Sequence, residues 1–486
     1  MSPADAAGDR ADPRNAPASF GPVLLFRGLN DQRLSLSALI GHPEDTPPPE
    51  LRTACGPGRY RALMRIDGLV VARIDFALPV GEGVAAYRLE GRDHLVVTRH
   101  DADLRMAFVS CNGQEHGDFD RPEAQRNAMW SRLVADHARQ PFALLLHGGD
   151  QIYADEDVKS HSLTRDWPDR LPREVTAAEL LHLEAALRRA FVARYTRLLA
   201  TDAVARISAM VPSLAMWDDH DICDGWGSLE RSRGRSAIGQ IVFRIAREMF
   251  LLFQHGAVED DIPDLFADPS GAALGWHHRL PGFDLIAPDL RSERGRRQVM
   301  GPAGWSLMER LRDARPRGHV FLISSVPLLG PRLSLVERVM MLMPSMQKYE
   351  DDLRDQWQSR AHREEWRRML SLCLDVMEDA PMTVLSGEIH LAAQARMRGR
   401  GRDLIQLIAS GIAHDAPPQG YARGLGLLAG LGEAPSPGHP IRIGRLPGQR
   451  GRYVAERNYL TLERRDGAWS AEWELEQSGR TAPVAL

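Results

Sequence analysis

Apolar positions in this chain fall in short, often β-branched runs, and the stretches between those runs change character past residue 103. Before that point GPVLLFRGL, YRALMRIDGLVVARIDFAL and DHLVVTR alternate with Gly and Pro and carry little helical periodicity, which predicts a β-rich accessory domain over 21–103. After it, LRMAFVS, FALLLHG, SLAMWDD, FDLIAPD, HVFLISSVPLL, MTVLSGE and LIQLIAS read as strands apolar on both faces. They are separated by amphipathic segments such as AAELLHLEAALRRAFVARYTRLLA and DDLRDQWQSRAHREEWRRMLSLCLDVMED, which repeat at 3.6 residues. This alternation predicts an α/β domain over 104–486, closed by a β-hairpin that turns at Asp466-Gly467 within NYLTLERRDGAWSAEWELE.

Composition narrows the class. With 43% hydrophobic and 26% charged residues among 486, the chain is ordinary globular material with a large core. A formal charge of -4 gives no general reason to expect specific nucleic-acid binding. Residues 1–20 are polar and read as a flexible leader without a signal peptide, and no apolar run is long enough for a membrane span, so a cytoplasmic location without membrane insertion is the expectation. Cys55, Cys111, Cys223 and Cys373 are scattered, form no CxxC pair and are read singly.

Candidate chemistry collects at the strand ends, where α/β architectures bind ligands. LRMAFVS runs into Cys111-Asn112, FALLLHG into Gly149-Asp150-Gln151-Ile152-Tyr153, SLAMW into Asp218-Asp219-His220-Asp221, and MTVLS into Gly387-Glu388-Ile389-His390. Taken singly, such residues are often turn formers, buried small side chains or structural hydrogen-bonders. Together they make a different case, because carboxylates crowded beside a histidine repel one another unless a cation compensates. The joint pattern points to a metal site.

The stretches FVSCN (108–112), GDQIYAD (149–155), WDDHDICDGW (217–226), DLRSER (289–294) and SGEIH (386–390) resemble, in order and spacing, the PhoD-type alkaline phosphatases and phosphodiesterases of the calcineurin-like metallophosphoesterase superfamily. The resemblance covers about residues 105–415 and implies two central sheets flanked by helices. It also implies a binuclear centre in which Asp150 bridges two ions. One ion, expected to be iron, would take Cys111, Tyr153 and His390; the other, a divalent calcium, magnesium or manganese ion, would take Asp219 and Glu388. His220 would protonate the leaving group with Asp221 orienting its ring, while Asn112, Arg291 and Arg294 would bind substrate phosphate. The implied activity is hydrolysis of phosphate esters, diesters first, by a metal-activated hydroxide.

The chain departs from the commoner superfamily pattern in having Ser110-Cys111-Asn112 for Asp-x-His, Glu388 where the PhoD type more often has Asp, and Ser324-Ser325 near a proline beside which the commoner branches place a histidine. Alternatives are a phosphomonoesterase, a metal-bearing scaffold protein without activity, and a hydrolase using Cys111 as nucleophile. His147, His277, His278 and His414 carry no motif and are assigned to packing or the surface, and the helical insertions over 156–210, 228–255 and 331–380 are expected to wall the cleft.

Overall fold

The computed structural model describes residues 18–114, 118, 121–172, 174–331 and 355–486. All seven apolar runs form strands: Leu104–Val109, Leu144–Gly148, Ser213–Met216, Phe283–Ala287, His319–Ser324, Met382–Ser386 and Leu404–Ile408. Nearly every residue in them is buried, because sheet neighbours cover the edges while helices and the other sheet cover the faces.

They belong to two sheets. The first contains 11 strands and runs through Leu104–Val109, Leu144–Gly148 and Ser213–Met216, mutually parallel, with the Asn458–Arg465 and Ala468–Leu475 hairpin on one flank. The second contains 8 strands centred on Phe283–Ala287, His319–Ser324, Met382–Ser386 and Leu404–Ile408, again parallel. Buried tryptophans join the layers: Trp276 Nε1 donates to the carbonyl of Ala215 (2.7 Å), and Trp473 Nε1 to that of Ile408 (2.8 Å). An indole offers a large apolar body with one donor, so it can fill a sheet-to-sheet gap and also satisfy a strand carbonyl.

The expected boundary near residue 103 is crossed by the first sheet. Phe20–Leu29 pairs in parallel with Ser213–Met216 through Leu25 and Ser213, and Arg33–Pro43, Leu69–Pro79 and Arg59–Ile66 extend the sheet outward. A separate four-stranded sheet holds the rest of the segment, including Val84–Leu89 and Arg92–Val97. Local alternation identifies these strands as β but is silent on which sheet they join.

Helices form where periodicity and capping agree. Ala177–Leu199 opens on Thr176, whose hydroxyl accepts from the Glu179 amide while the Glu179 carboxylate returns to the Thr176 amide. Ala237–Met249 opens on Ser236 and packs against it, and Arg363–Asp379 covers the second sheet. Residues 332–354 of the 331–380 insertion lie outside the described residues. Among the described residues no helix is long and apolar enough to cross a membrane.

Several buried histidines give the core a pH signature, His319 among them. Burial pushes His319 from 6.5 down to about 4, with its Nε2 beside the Thr383 hydroxyl at 2.9 Å. At this group the unfolded chain therefore binds more protons than the folded one between those values, so its contribution to stability is complete above pH 6.5 and declines as the pH falls towards 4. His319→Gln should shallow this acid decline by up to about 3 kcal/mol, read as urea midpoints against pH. An unchanged pH slope would show that His319 does not contribute.

Candidate metal centre

The strand ends converge as expected, and the backbone there is strained. Among the described residues eight non-glycine positions have positive φ; Asp67, Glu90 and Asp466 precede glycines in hairpin turns, and Arg315 follows a helix end. The other four are Cys111 (52°), Asp150 (56°), Glu388 (64°) and His390 (53°). Left-handed backbone costs on the order of 1–2 kcal/mol per residue, so four such residues at one locus mark a place where side-chain direction outweighs backbone ease.

Close packing holds these loops together. The Cys111 and Asn112 amides donate to the carbonyls of Gly149 and Asp150 (3.1 and 2.8 Å), and the Gly387 amide to Ser325 (3.0 Å). A Cβ on Gly387 would lie 2.6 Å from that of Ser110, so only glycine lets the ends of the two sheets meet. Gly149 combines a φ of 102° with an ideal Cβ position 2.6 Å from the Asp218 Cβ. Gly149→Ala should therefore cost about 2–4 kcal/mol, seen as a lower thermal midpoint. A midpoint within a degree or so of the parent would refute this reading of the turn.

The ligand-type atoms form overlapping groups. Atoms of Cys111, Asp150 and His390 lie within 4.8 Å of one another, and so do atoms of Asp150, Asp218 and Asp219. Asp150 belongs to both. A further group joins Asp219, His220 and the exposed Asp224. Tyr153 reaches the first through its hydroxyl, 2.8 Å from His390 Nε2, and Ser410 Oγ donates to Cys111 Sγ at 3.0 Å. Glu388 stands beside these groups but outside them, its Oε1 accepting from Gln356 Nε2 at 2.8 Å.

The donor set fits cations. Asp150 Oδ1, Asp218 Oδ2 and Glu388 Oε2 are buried without a hydrogen-bond partner among the described residues. Burial first, and then the neighbouring anions, hold Asp150 and Glu388 well above the carboxylate range; burial lifts Asp218 to about 6 although Arg291 opposes it. A buried carboxylate oxygen without a donor is costly, and a multivalent cation removes both the missing partner and the repulsion. Cys111, fully buried, has its thiol pushed up by burial, which disfavours its use as a free nucleophile.

His220 finds a different partner from the one expected. Its Nδ1 lies 2.7 Å from Asp155 Oδ2, and its ring stacks on Tyr153 with centroids 4.2 Å apart. Burial alone would lower its pKa, but Asp155 and Asp219 reverse this and hold the ring well above its ordinary value, favouring the imidazolium. Asp221 turns inward instead. Its carboxylate accepts from the amides of Asp150 (2.9 Å), Gln151 (3.1 Å) and Asp218 (2.9 Å) and from Gln254 Nε2 (2.9 Å). It fixes the Asp150 and Asp218 loops and makes no hydrogen bond to His220.

The proposed substrate residues are also engaged elsewhere. Arg291 is fully buried, with Nε bonded to Asp218 and Nη2 bonded to Asp219 (3.3 Å) and Asp355 (2.7 Å). Arg294 pairs with Asp355 at 3.2 Å. Neither guanidinium is open to an incoming phosphate; the pair instead neutralises the acidic loop from behind. Asn112 accepts from Trp130 Nε1 (2.7 Å) and is buried.

Of the histidines assigned to packing, His147 and His278 are half-buried and pushed down to about 4 by desolvation, and His277 pairs with Asp284 (2.7 Å). His414 does not fit that assignment. It stacks on His390 at 3.7 Å and on Tyr153 at 5.1 Å, and its amide donates to the Cys111 carbonyl (3.2 Å). Asp155, Asp218 and His414 are thus the site residues that sequence reasoning missed; the DDHD cluster pointed to Asp218, whereas no local signal marks His414.

Residues 80–349, more than half of the chain, match the model of the family described as PhoD related phosphatase. This chain belongs to that family. Its fold is similar to that of PhoD, with a TM-score of 0.58 and 12% identity over 97% of this chain and 88% of that one. It is also similar to a purple acid phosphatase of yellow lupin (Lupinus luteus), with a TM-score of 0.50 and 10% identity over 96% and 73% of the two chains. These likenesses are of fold, and the two-sheet α/β architecture is the calcineurin-like one. A curated relative, an uncharacterized protein of Saccharomyces cerevisiae, is 22% identical in an alignment of 415 positions that covers 70% of this chain and 58% of that protein. The chain thus spans less than two thirds of that relative.

Proposed function

We propose that this PhoD-related phosphatase hydrolyses phosphate esters, diesters in preference to monoesters, at a two-cation centre. The observation that carries the reading is the position of Asp150, whose carboxylate is shared by a Cys-His group on one side and an all-carboxylate group on the other. The first group, with Tyr153 added, offers thiolate, imidazole and phenolate donors suited to iron; the second, Asp218 and Asp219 with Glu388 beside it, offers hard oxygens suited to calcium, magnesium or manganese. When bound, such a pair neutralises phosphate charge and activates water.

The chain supplies the rest. His220, held as imidazolium by Asp155, carries a proton for the departing alkoxide, a need that is sharpest for an ester with a poor leaving group. The Gly225 amide donates a hydrogen bond to Asp219 Oδ2 (2.8 Å), and Asp221 ties the Asp150 loop to the Asp218 loop, so the acidic oxygens are fixed before substrate arrives.

Gently purified protein should contain about two metal equivalents per chain by elemental mass spectrometry, one of them iron, with a visible charge-transfer band from Tyr153 or Cys111. Chelation should abolish hydrolysis of bis(p-nitrophenyl) phosphate, and readdition of metal should restore it above the rate with p-nitrophenyl phosphate. Activity that survives complete metal removal would overturn the reading, and a faster rate on the monoester would reverse the diester preference.

A further inference from the structure

The second sheet ends in a face that the proposed chemistry does not use. On the Ala392–Met397 strand, Arg396 points outward directly opposite Arg442 of the antiparallel Ile441–Gly444 strand, with Arg398 one step beyond. Together with Gln394 they line an open groove whose one acidic wall residue is Asp403. Among the described residues no carboxylate pairs with these three arginines. Two like charges directly opposed across strands are destabilising, and an anion laid over them would remove that penalty.

Beside this face lies an apolar feature. Six large hydrophobic residues are exposed among those described, and three of them, Tyr421 (56%), Leu427 (78%) and Leu431 (64%), fall in one short stretch. Leu427 belongs to the helix Gln419–Ala429, and Leu431 follows it. The helix is tied to the arginine strand: Arg452 donates to the Gly426 carbonyl (3.3 Å) and to that of Ile443 (3.2 Å), and Glu433 bridges to Ile441.

We propose that the arginine face of the Ala392–Met397 and Ile441–Gly444 strands and the exposed leucines of the adjoining Gln419–Ala429 segment form a docking surface for an anionic phospholipid membrane. Charge complementarity with lipid phosphates accounts for the unneutralised arginines, and shallow insertion into the acyl boundary accounts for the leucines, two signals that peripheral binding needs together. A nucleic acid would use the arginines but leaves Leu427 and Leu431 without a role. A second copy would cover the leucines but brings like charges together across its two-fold axis.

The test is sedimentation of the full chain with vesicles of phosphatidylcholine alone or containing phosphatidylglycerol. Binding should require phosphatidylglycerol, fall with salt, and weaken about fivefold for each of Arg396→Gln, Arg398→Gln and Arg442→Gln. Leu427→Ser with Leu431→Ser should also weaken it, while hydrolysis of a soluble ester stays at the parent level. Absent binding, or binding that survives both sets of changes, overturns the proposal. So does tighter binding to a duplex oligonucleotide than to vesicles, and so does a dimer in solution that the leucine variant dissociates.

Discussion

Asp150→Asn is expected to leave the chain without its two cations and to lower ester hydrolysis by at least about 10³-fold, since loss of even one preorganised charge stabiliser commonly costs about 10²–10³. An amide keeps the size of the side chain but offers one neutral acceptor where the carboxylate offers two charged oxygens, and the Asp150 carboxylate belongs to both ligand groups. The same change has an opposite effect on the empty protein. Burial and neighbouring anions hold Asp150 well above the carboxylate range, so replacing it with a neutral group removes repulsion and should raise the thermal midpoint of chelator-treated protein. Metal content and the two midpoints, with and without chelator, read these effects separately. Full metal content with Asn at position 150 would rule out the shared-ligand role.

His220→Ala should slow turnover by about 10²–10⁴-fold while metal content stays at the parent level. The loss should be largest for esters with poor alcohol leaving groups and small for nitrophenyl esters, because only the former need a proton as the bond breaks. Asp155→Asn should reproduce most of this loss, since it withdraws the charge that favours the imidazolium and leaves only a neutral amide oxygen to accept from Nδ1, now 2.7 Å from a carboxylate. The two changes act on one unit, so the double variant should be little worse than His220→Ala. Additive losses would separate Asp155 from His220, and metal loss in His220→Ala would make the histidine a ligand.

These expectations depend on a division between what the chain's order encodes and what folding adds. Strands buried on both faces must be apolar throughout, so seven of them are visible as runs, and the residues that follow each run mark the strand ends where Cys111, Asp150, Asp219 and His390 sit. The Asp466-Gly467 turn and the Thr176 cap are equally local, because a left-handed pair and a capping box are satisfied within a few residues.

Contacts made between distant segments were settled only by tertiary structure. His220 and Asp221 are adjacent, which suggested a pair, but they lie in a short 3₁₀ turn where successive side chains diverge by about 120°. Asp221 therefore meets backbone amides inside the fold while His220 meets Asp155, 65 positions earlier. Arg291 and Arg294 read as phosphate ligands, yet the fold buries them against Asp218 and Asp355, because buried acids require cations close by. His414 reaches His390 only because Met382–Ser386 and Leu404–Ile408 are neighbouring strands whose ends carry the two loops to one place. Sequence alone determined which residue types stand at the strand ends, since burial dictates the runs that precede them; which of those side chains face one another was decided by strand order and loop packing, through contacts whose energy exists only once the sheets are assembled.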